Sequence, residues 1–313
     1  SRMSEKGRFR GKTVGVFLGG ESSEREVSLM TGAAAVAALR RKEYRVAEID
    51  IRGDWLRVIH EAKIDVAFIA LHGRLGEDGC IQGALECARV PYTGSGVAAS
   101  AVSMSKVMAK RVVTAVGLPC PPDALFEGED LASPSPPAFG FPLVVKPDRE
   151  GSTVGISLVR DVGGWSGAMA TAGKYDTRVL VEAYVPGREI TVGIVNGRAL
   201  PAIEIVPMSG TGFYDYHSKY TAGQTEYVIP VPMDREILLR AAEFTRTGAL
   251  ALSLRGAARI DYRVDPAGNL FFLEANTIPG MTETSLLPKA AKFDGVPFDD
   301  LVEEILDDAG LNK

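Results

Sequence analysis

The sequence predicts an α/β (α+β) fold with more than one core, and three observations carry that expectation. At 313 residues the chain exceeds what one ordinary hydrophobic core holds, so two or three domains follow. The first hundred residues alternate short apolar runs with helical spacing, the βαβαβ pattern of a parallel sheet covered by helices. Beyond Pro91 the pattern changes, and strands recur in pairs joined by turns.

Thr13–Leu18 is an apolar run ending in Gly19-Gly20, which reads as a strand. A helix then starts at Ser23, with Ser23 and Glu26 forming a capping box and Val27, Met30, Ala34 and Ala37 at helical spacing. Arg45–Ile51 and Val66–Leu71 read as further buried strands. Lys106–Val116 is a helix closed by Gly117, and proline-dense Ser133–Pro142 is a surface connection. Leu143–Lys146 and Val154–Val159 form a hairpin around the Gly/Ser loop Asp148–Thr153. Strands at Glu189–Val195 and Ala199–Val206 precede the Gly- and Tyr-rich stretch Met208–Gln224, whose length points to a functional loop. Asp234 caps a helix carrying Ile237, Ala241, Phe244 and Gly248 on one face. Strands Ala258–Val264 and Asn269–Ala275 then flank the turn Asp265-Pro266-Ala267-Gly268.

Composition narrows the function. Apolar residues make up 46% and charged residues 24%, which is globular rather than disordered. A formal charge of -5 without a basic stripe argues against nucleic acid. Arg2, Lys6, Arg8, Arg10 and Lys12 read as a solvated terminal tail. Cys80, Cys87 and Cys120 lack CxxC spacing, so neither a disulfide framework nor a thiolate zinc site is expected; Cys80 and Cys87 read as buried thiols on a helix after Gly79. No apolar run spans a membrane and no signal-peptide core is present, so the expected location is cytoplasmic.

Several short motifs fail on context. Gly11-Lys12-Thr13 lacks the leading glycine of a P-loop and precedes a strand instead of following one. Gly94 to Ala99 follows no strand ending in a tight turn, against a dinucleotide fingerprint. Ser103-Met104-Ser105-Lys106 fits S-x-x-K without its companion elements, and His60, His72 and His217 lack zinc-ligand spacing.

Two patterns hold up better. Closing the last hairpin with a four-residue turn pairs Val264 with Asn269 and places Asp261 opposite Phe272 and diagonal to Glu274. Asp261, Glu274 and Asn276 then share one face, with Arg259 at the same parity. Three hard oxygen donors on a rigid face suit magnesium, although a solvated sheet face carrying acids would read the same. Lys146 at a strand end facing Gly151-Ser152-Thr153 fits a lid whose amides and ammonium cover phosphates; Gly/Ser hairpin tips are also common without that role.

These residues sit within a longer resemblance. Gly19-Gly20-Glu21-Ser22-Ser23-Glu24-Arg25-Glu26-Val27-Ser28, Leu71 to Gly79 (LHGRLGEDG), Pro91 to Gly96, Lys146 to Gly155, Phe213-Tyr214-Asp215-Tyr216, Lys219-Tyr220, Arg259-Ile260-Asp261, Leu273 to Thr277 and Pro279 to Leu286 occur in order from about residue 12 onward. Together they resemble the D-alanine–D-alanine ligases. The resemblance implies the ATP-grasp fold: an N-terminal parallel-sheet domain (1–98) plus two domains clamping ATP (99–182 and 183–313), with a lid loop at 208–224.

It also implies roles. Lys106 and Lys146 would bind the ATP phosphates, joined by Lys219. Glu182 and Glu189 would hold adenine and ribose near Val185 and Phe213. Asp261, Glu274 and Asn276 would bind two Mg2+ ions, with Mn2+ able to substitute. Glu24 would hold the first D-alanine's ammonium beside His72, and Ser285 and Leu286 would meet the second substrate's carboxylate. Arg259 and the Gly280 N–H would stabilise the oxyanion, while Ser152, Tyr220 and Glu24 would link the domains as the site closes. A homodimer is the family expectation. Ala183 departs from the family, standing where many members carry lysine beside the adenine-binding glutamate, and Glu283-Thr284 precedes Ser285 in a variable stretch.

The expected chemistry is attack of one D-alanine carboxylate on the ATP γ-phosphate, then attack of a second D-alanine amine on the acyl phosphate. Both steps build negative charge, which metals, lysine and arginine stabilise without a side-chain nucleophile. Water competes for an acyl phosphate, so the 208–224 loop is expected to close over ATP, carrying Lys219 and Tyr220. The alternatives are a sister ligase making D-alanyl-D-lactate, against which Lys219-Tyr220 argues, a catalytically silent nucleotide-binding regulator, and an acyl-enzyme on Ser103 and Lys106.

Overall fold

A computed structural model describes residues 7–151, 154–207 and 225–313. The N-terminal part holds a parallel sheet of order β2-β1-β3, with β1 Thr13–Leu18, β2 Arg45–Asp50 and β3 Val66–Ile69. Strand alternation splits β1 between two cores: Val14, Val16 and Leu18 face one, and Phe17 faces the other with Ile69 and Leu71. The edge strand β2 is half-exposed along most of its length, so only β1 and β3 are the buried strands expected.

Helix α1 (Arg25–Arg41) starts two residues after the expected point, and the capping box does not form. Ser22 Oγ instead accepts from the Glu24 N–H (3.2 Å) and donates to the His72 carbonyl (2.7 Å). That bond tethers the turn before α1 to the loop after β3, leaving Glu24 as an N-cap without a side-chain cap. The buried face is Ser28, Thr31, Gly32, Ala35 and Leu39, and Met30 is exposed. The small residues win because α1 lies close on the sheet, where a Cβ on Gly32 would collide with Leu18. Helices α2 (Trp55–Glu61) and α3 (Cys80–Ala88) cover the other core. Ile81, Gln82 and Leu85 are the buried side of α3, so Cys80 and Cys87 are exposed rather than buried; all three cysteines are free thiols.

After α4 (Val97–Met104) and α5 (Lys106–Ala115) comes an antiparallel sheet of order β4-β7-β5-β6, formed by β4 Asp123–Glu127, β5 Leu143–Pro147, β6 Ser157–Val159 and β7 Arg178–Ala183. Helix α6 (Trp165–Ala172) packs on it. The second antiparallel sheet has the order β11-β10-β8-β12-β13, with β9 (Arg198–Ala199) beside β8. Its strands are β8 Arg188–Val195, β10 Ile203–Pro207, β11 Thr225–Val228, β12 Ala257–Val264 and β13 Leu270–Asn276. Helix α7 (Arg235–Ala251), capped by Asp234 as expected, packs on this sheet.

The β12–β13 register differs from expectation. Val264 pairs with Leu270, not Asn269, because Asp265 folds the turn on itself and accepts from the Ala267 and Asn269 N–H groups. Continued unbroken, that register would set Asp261 against Leu273. A bulge between Asp261 and Tyr262 takes up the extra residue, so Asp261 lies directly opposite Glu274 and Arg259 opposite Asn276. The bulge restores the common face by a different route.

Helices α8 (Leu286–Phe293) and α9 (Phe298–Asp307) return to the N-terminal sheet, where Leu301, Val302, Ile305 and Leu306 join its core. From residue 7 on, the basic N-terminal stretch is clasped to α9 and is not a loose tail, although the Arg8, Arg10 and Lys12 side chains are solvated as expected; Arg2 and Lys6 lie outside the described residues. The Gly7 and Arg8 N–H groups donate to Asp307, Arg10 pairs with Glu303, and Phe9 is buried. Among the described residues no helix is long and apolar enough to cross a membrane.

Candidate active site

Two cavities meet at Glu274. The larger, of roughly 350 Å³, lies where α1, α4, β13 and the start of α8 converge. The smaller, of roughly 80 Å³, is a slot between the two antiparallel sheets.

The β12–β13 face forms the floor. Arg259 forks onto Asp261, with Nε to Oδ1 at 3.0 Å and Nη2 to Oδ2 at 3.1 Å, and Thr191 Oγ1 donates to the same Oδ1 at 2.5 Å. Lys106 Nζ lies 3.4 Å from Glu274 Oε2 and donates to the Glu150 carbonyl at 2.6 Å. Its position is set by buried Asp148, which accepts from Ser105 Oγ and the Val107 N–H and thereby ties the start of α5 to the loop after β5. Asn276 Oδ1 accepts from the Ile278 N–H at 3.0 Å. Asp261, Glu274 and Asn276 are all hard oxygen donors on one rigid face, beside two cations that would also face phosphate. This donor set fits Mg2+.

The slot is walled by Val144, Ile156, Val185 and Leu273, with Glu182 and Glu189 at its polar edges. Glu182 is buried between two ammoniums, Lys110 at 2.7 Å and Lys146 at 2.6 Å. Burial alone would raise its carboxyl, yet the two lysines outweigh that and hold it below the ordinary carboxylate range. Lys110 also pairs with Asp123 at 2.6 Å, and together these acids keep its ammonium above its ordinary value despite burial. Burial pushes Glu189 up to about 7; Arg263, 3.6 Å away, opposes this, while Asp261 and Glu274 reinforce it. An apolar slot with polar edges beside a lysine and an oxygen-rich face suits a purine nucleotide.

At the far end of the larger cavity, Glu24 sits beside two glycines from different elements. A Cβ on Gly73 would lie 2.9 Å from its Oε2, and one on Gly151 would lie 3.1 Å away. The Glu24 carboxylate therefore touches both its own domain and the β5–β6 loop. His72 is buried, its Nε2 2.9 Å from Thr31 Oγ1, and faces the same cavity. Gly280, Ser285 and Leu286 close the opposite wall. Ser285 Oγ is 2.7 Å from Thr282 Oγ1 and accepts from the Thr282 N–H, shaping the turn that starts α8.

Residues 112–307 match the family described as D-ala D-ala ligase C-terminus, and residues 56–95 match D-ala D-ala ligase N-terminus. The D-alanine–D-alanine ligase of Syntrophotalea carbinolica is 48% identical over 304 residues, covering 96% of this chain and 97% of the relative. The chain belongs to the D-alanine–D-alanine ligase family. The family member from Geobacter sulfurreducens is 45% identical over 299 residues, covering 95% of this chain and 94% of that one. Among solved structures, the D-alanine–D-alanine ligase from Bacillus anthracis complexed with ATP superposes with a TM-score of 0.82 at 31% identity, covering 95% of this chain and 97% of its own. VanG D-Ala:D-Ser ligase from Enterococcus faecalis gives 0.80 at 28% identity, covering 94% and 98%. The fold is thus that of the ATP-grasp ligases, as the resemblance implies.

In this ligase-family chain, Glu24, His72, Lys106, Arg259, Glu274, Asn276, Gly280, Ser285 and Leu286 line the larger cavity. Lys146, Glu182, Val185, Glu189 and Asp261 line the slot. Ser152, Phe213, Lys219 and Tyr220, with the 208–224 loop, lie outside the described residues. Sequence reasoning missed Lys110, Arg263 and Glu77. Lys110 stands one helical turn from Lys106, and Arg263 shares the parity of Arg259 and Asp261, so both had a periodic signal. Glu77 accepts from the Gly73 N–H at 2.6 Å and shapes the loop around Glu24. The S-x-x-K pair does reach the cavity wall, but Lys106 is committed to Glu150 and Glu274, and Ser103 Oγ has no hydrogen-bond partner among the described residues.

Proposed function

We propose that this chain joins two D-alanines into D-alanyl-D-alanine at the expense of ATP, through a D-alanyl phosphate, for peptidoglycan precursors. One observation carries the reading: Arg259, Asp261, Glu274 and Asn276 share one face at the junction of an apolar slot with polar edges and a cavity that ends on Glu24. ATP in the slot would place its phosphates between Lys146 and Lys106, over that face.

The roles follow from position. Glu182 and Glu189 would orient adenine and ribose, with the Val185 backbone between them. Asp261, Glu274 and Asn276 would hold two Mg2+ ions, and hard oxygen donors would accept Mn2+ as well. The metal, when bound, would offset the negative charge of the transferring phosphoryl group. Glu24 would receive the ammonium of the first D-alanine beside His72, pointing its carboxylate toward the ATP. The second D-alanine's carboxylate would meet the N–H groups at the start of α8, near Ser285 and Leu286, which favours an anion there. Arg259 and the Gly280 N–H would then face the oxyanion as the amine attacks.

The site draws on all three sequence segments, consistent with a division at 1–98, 99–182 and 183–313. A homodimer and a cytoplasmic location belong to the same proposal. The test is phosphate release from ATP and Mg2+ with D-alanine, with L-alanine as control, and mass spectrometry of the product. The expected result is release that requires D-alanine and yields the dipeptide. Nucleotide binding without such release would overturn the reaction and leave only a nucleotide site.

A further inference from the structure

We propose that Arg263 is a nucleotide-positioning residue: its guanidinium locks the 184–187 linker and the Glu189 carboxylate into one arrangement, fixing the base-reading edge of the slot against its ribose end. The inference rests on reading the slot as the adenine site.

Residues 184–187 carry the chain from β7, the end of one antiparallel sheet, to β8, the start of the other. They form one edge of the slot and have no ladder of their own. Arg263 supplies one. Nε donates to the Val185 carbonyl at 3.1 Å, and Nη2 donates to the Gly187 carbonyl at 3.0 Å and the Tyr184 hydroxyl at 3.3 Å. Its carbon Cζ lies 5.4 Å from the Tyr184 ring centroid, and Nη1 is 3.6 Å from Glu189 Oε2. On the other side of the linker, the Tyr184 N–H donates to the Pro142 carbonyl at 3.0 Å. Among the described residues, the Val185 N–H donates to no protein acceptor, which leaves it for the base.

Only arginine suits this task. A planar fork of five donors spans two carbonyls, a hydroxyl and a carboxylate at once, whereas a lysine ammonium is a point charge on a flexible stem. Arg263 is nearly buried, at 7% exposure, so its bonds act in a poorly screened setting. Gly187 shows how tightly the linker is held: its φ is +119°, and a Cβ there would collide with the Val264 carbonyl. Arg263 lines the slot but no part of the larger cavity, so it acts on nucleotide, through the linker and Glu189 and as part of the slot wall, rather than on the acyl chemistry.

The test uses the full chain with Arg263→Met, which keeps length and removes the donors. ADP affinity by titration calorimetry and the ATP KM should each worsen about 10- to 100-fold, the size of losing hydrogen bonds to a buried charge. At saturating ATP, kcat should stay within about twofold of wild type and the D-alanine KM should not move, a split that marks lost nucleotide positioning. Preference for ATP over GTP should fall about tenfold as the linker loosens, a change that mere loss of stability would not produce. Unchanged ADP affinity in a folded variant would overturn the proposal, as would kcat and the D-alanine KM deteriorating together with it. If Arg263→Met does not fold, Tyr184→Phe decides: losing one acceptor should weaken ADP about two- to fivefold, and no change would overturn the proposal. Wild type that binds ADP but releases no D-alanine-dependent phosphate would sink the ligase reading alone; wild type that binds no ADP would sink both.

Discussion

The two ends of the site both pair charges, Arg259 with Asp261 and Lys106 with Glu274 in the larger cavity, but they differ in how much open volume those charges face. In the slot, each charge is answered by a protein partner: Glu182 by Lys110 and Lys146, Lys110 also by Asp123, and Glu189 by Arg263. In the larger cavity, side chains from α1, α5, β12, β13 and the start of α8 surround roughly 350 Å³ of open volume. The slot is therefore part of what holds the fold together, and a substitution there should be read in stability as well as in binding. The cavity is a convergence of groups from distant segments, and a substitution there should be read chiefly in turnover. Preorganised charge facing a void is what a reaction that accumulates negative charge requires.

The sharpest way to break this contrast is at Arg259. Arg259→Ala should lower turnover by about 100- to 1,000-fold, the range for losing one preorganised oxyanion donor. ADP affinity should stay close to wild type, because the Glu182 and Glu189 pairs of the slot are untouched. Steady-state kinetics with calorimetry separates the two. Turnover equal to wild type would show that the fork onto Asp261 is structural only. Arg259→Lys should recover only part of the rate, since an ammonium cannot hold both Asp261 oxygens as the guanidinium does.

The next effect falls on stability. Lys110→Met leaves Glu182 and Asp123 short of a buried cation and should cost about 3–5 kcal/mol in urea unfolding. The double variant Lys110→Met/Asp123→Asn should recover part of that loss, because Glu182 keeps Lys146 while the unpaired Asp123 carboxylate is removed. Additive losses would mean that Lys110 matters through packing alone, and the contrast between the two ends would weaken.

How much of this was legible in the sequence also divides along the same line. The parallel sheet, the α7 cap and the common parity of Glu274 and Asn276 follow from periodicity and turn residues, which act locally, whereas Asp261 joins their face only through the bulge. The β12–β13 register does not follow in that way, because the Asp265 side chain closes its own turn and a bulge then takes up the spare residue; parity counting sees neither. The α1 stripe was misplaced because hydrophobicity favours Met30, whereas close packing on β1 favours Gly32 and Ala35. The clasp of Gly7 and Arg8 on Asp307 joins residues about three hundred positions apart, beyond any local signal. Within the site, the cavity residues are legible through motif resemblance, while for Lys110 and Arg263 periodicity marks only the face they share with Lys106 and Asp261, and their partners are charges and carbonyls brought together by the fold.

The smallest predicted effect tests the slot through pH. Glu182 is held below the ordinary carboxylate range because Lys146 and Lys110 outweigh its burial. A carboxyl whose folded value lies below its unfolded value binds a proton on unfolding, so the unfolded state takes up more protons in that window. Its stabilising contribution is then complete above the unfolded range, near pH 4.3, and is lost as pH falls through the folded value. Glu182→Gln removes this titration. The urea midpoint of wild type minus that of the variant should therefore shrink as pH drops below about 4.5, and should stay level between roughly pH 6 and 8. Taking the difference cancels the other carboxylates held low by arginine, such as Asp176 beside Arg149, which titrate alike in both proteins. A difference that is flat from pH 3 to 8 would mean that the two lysines do no more than offset burial, and that the slot is tuned for the nucleotide rather than for the fold.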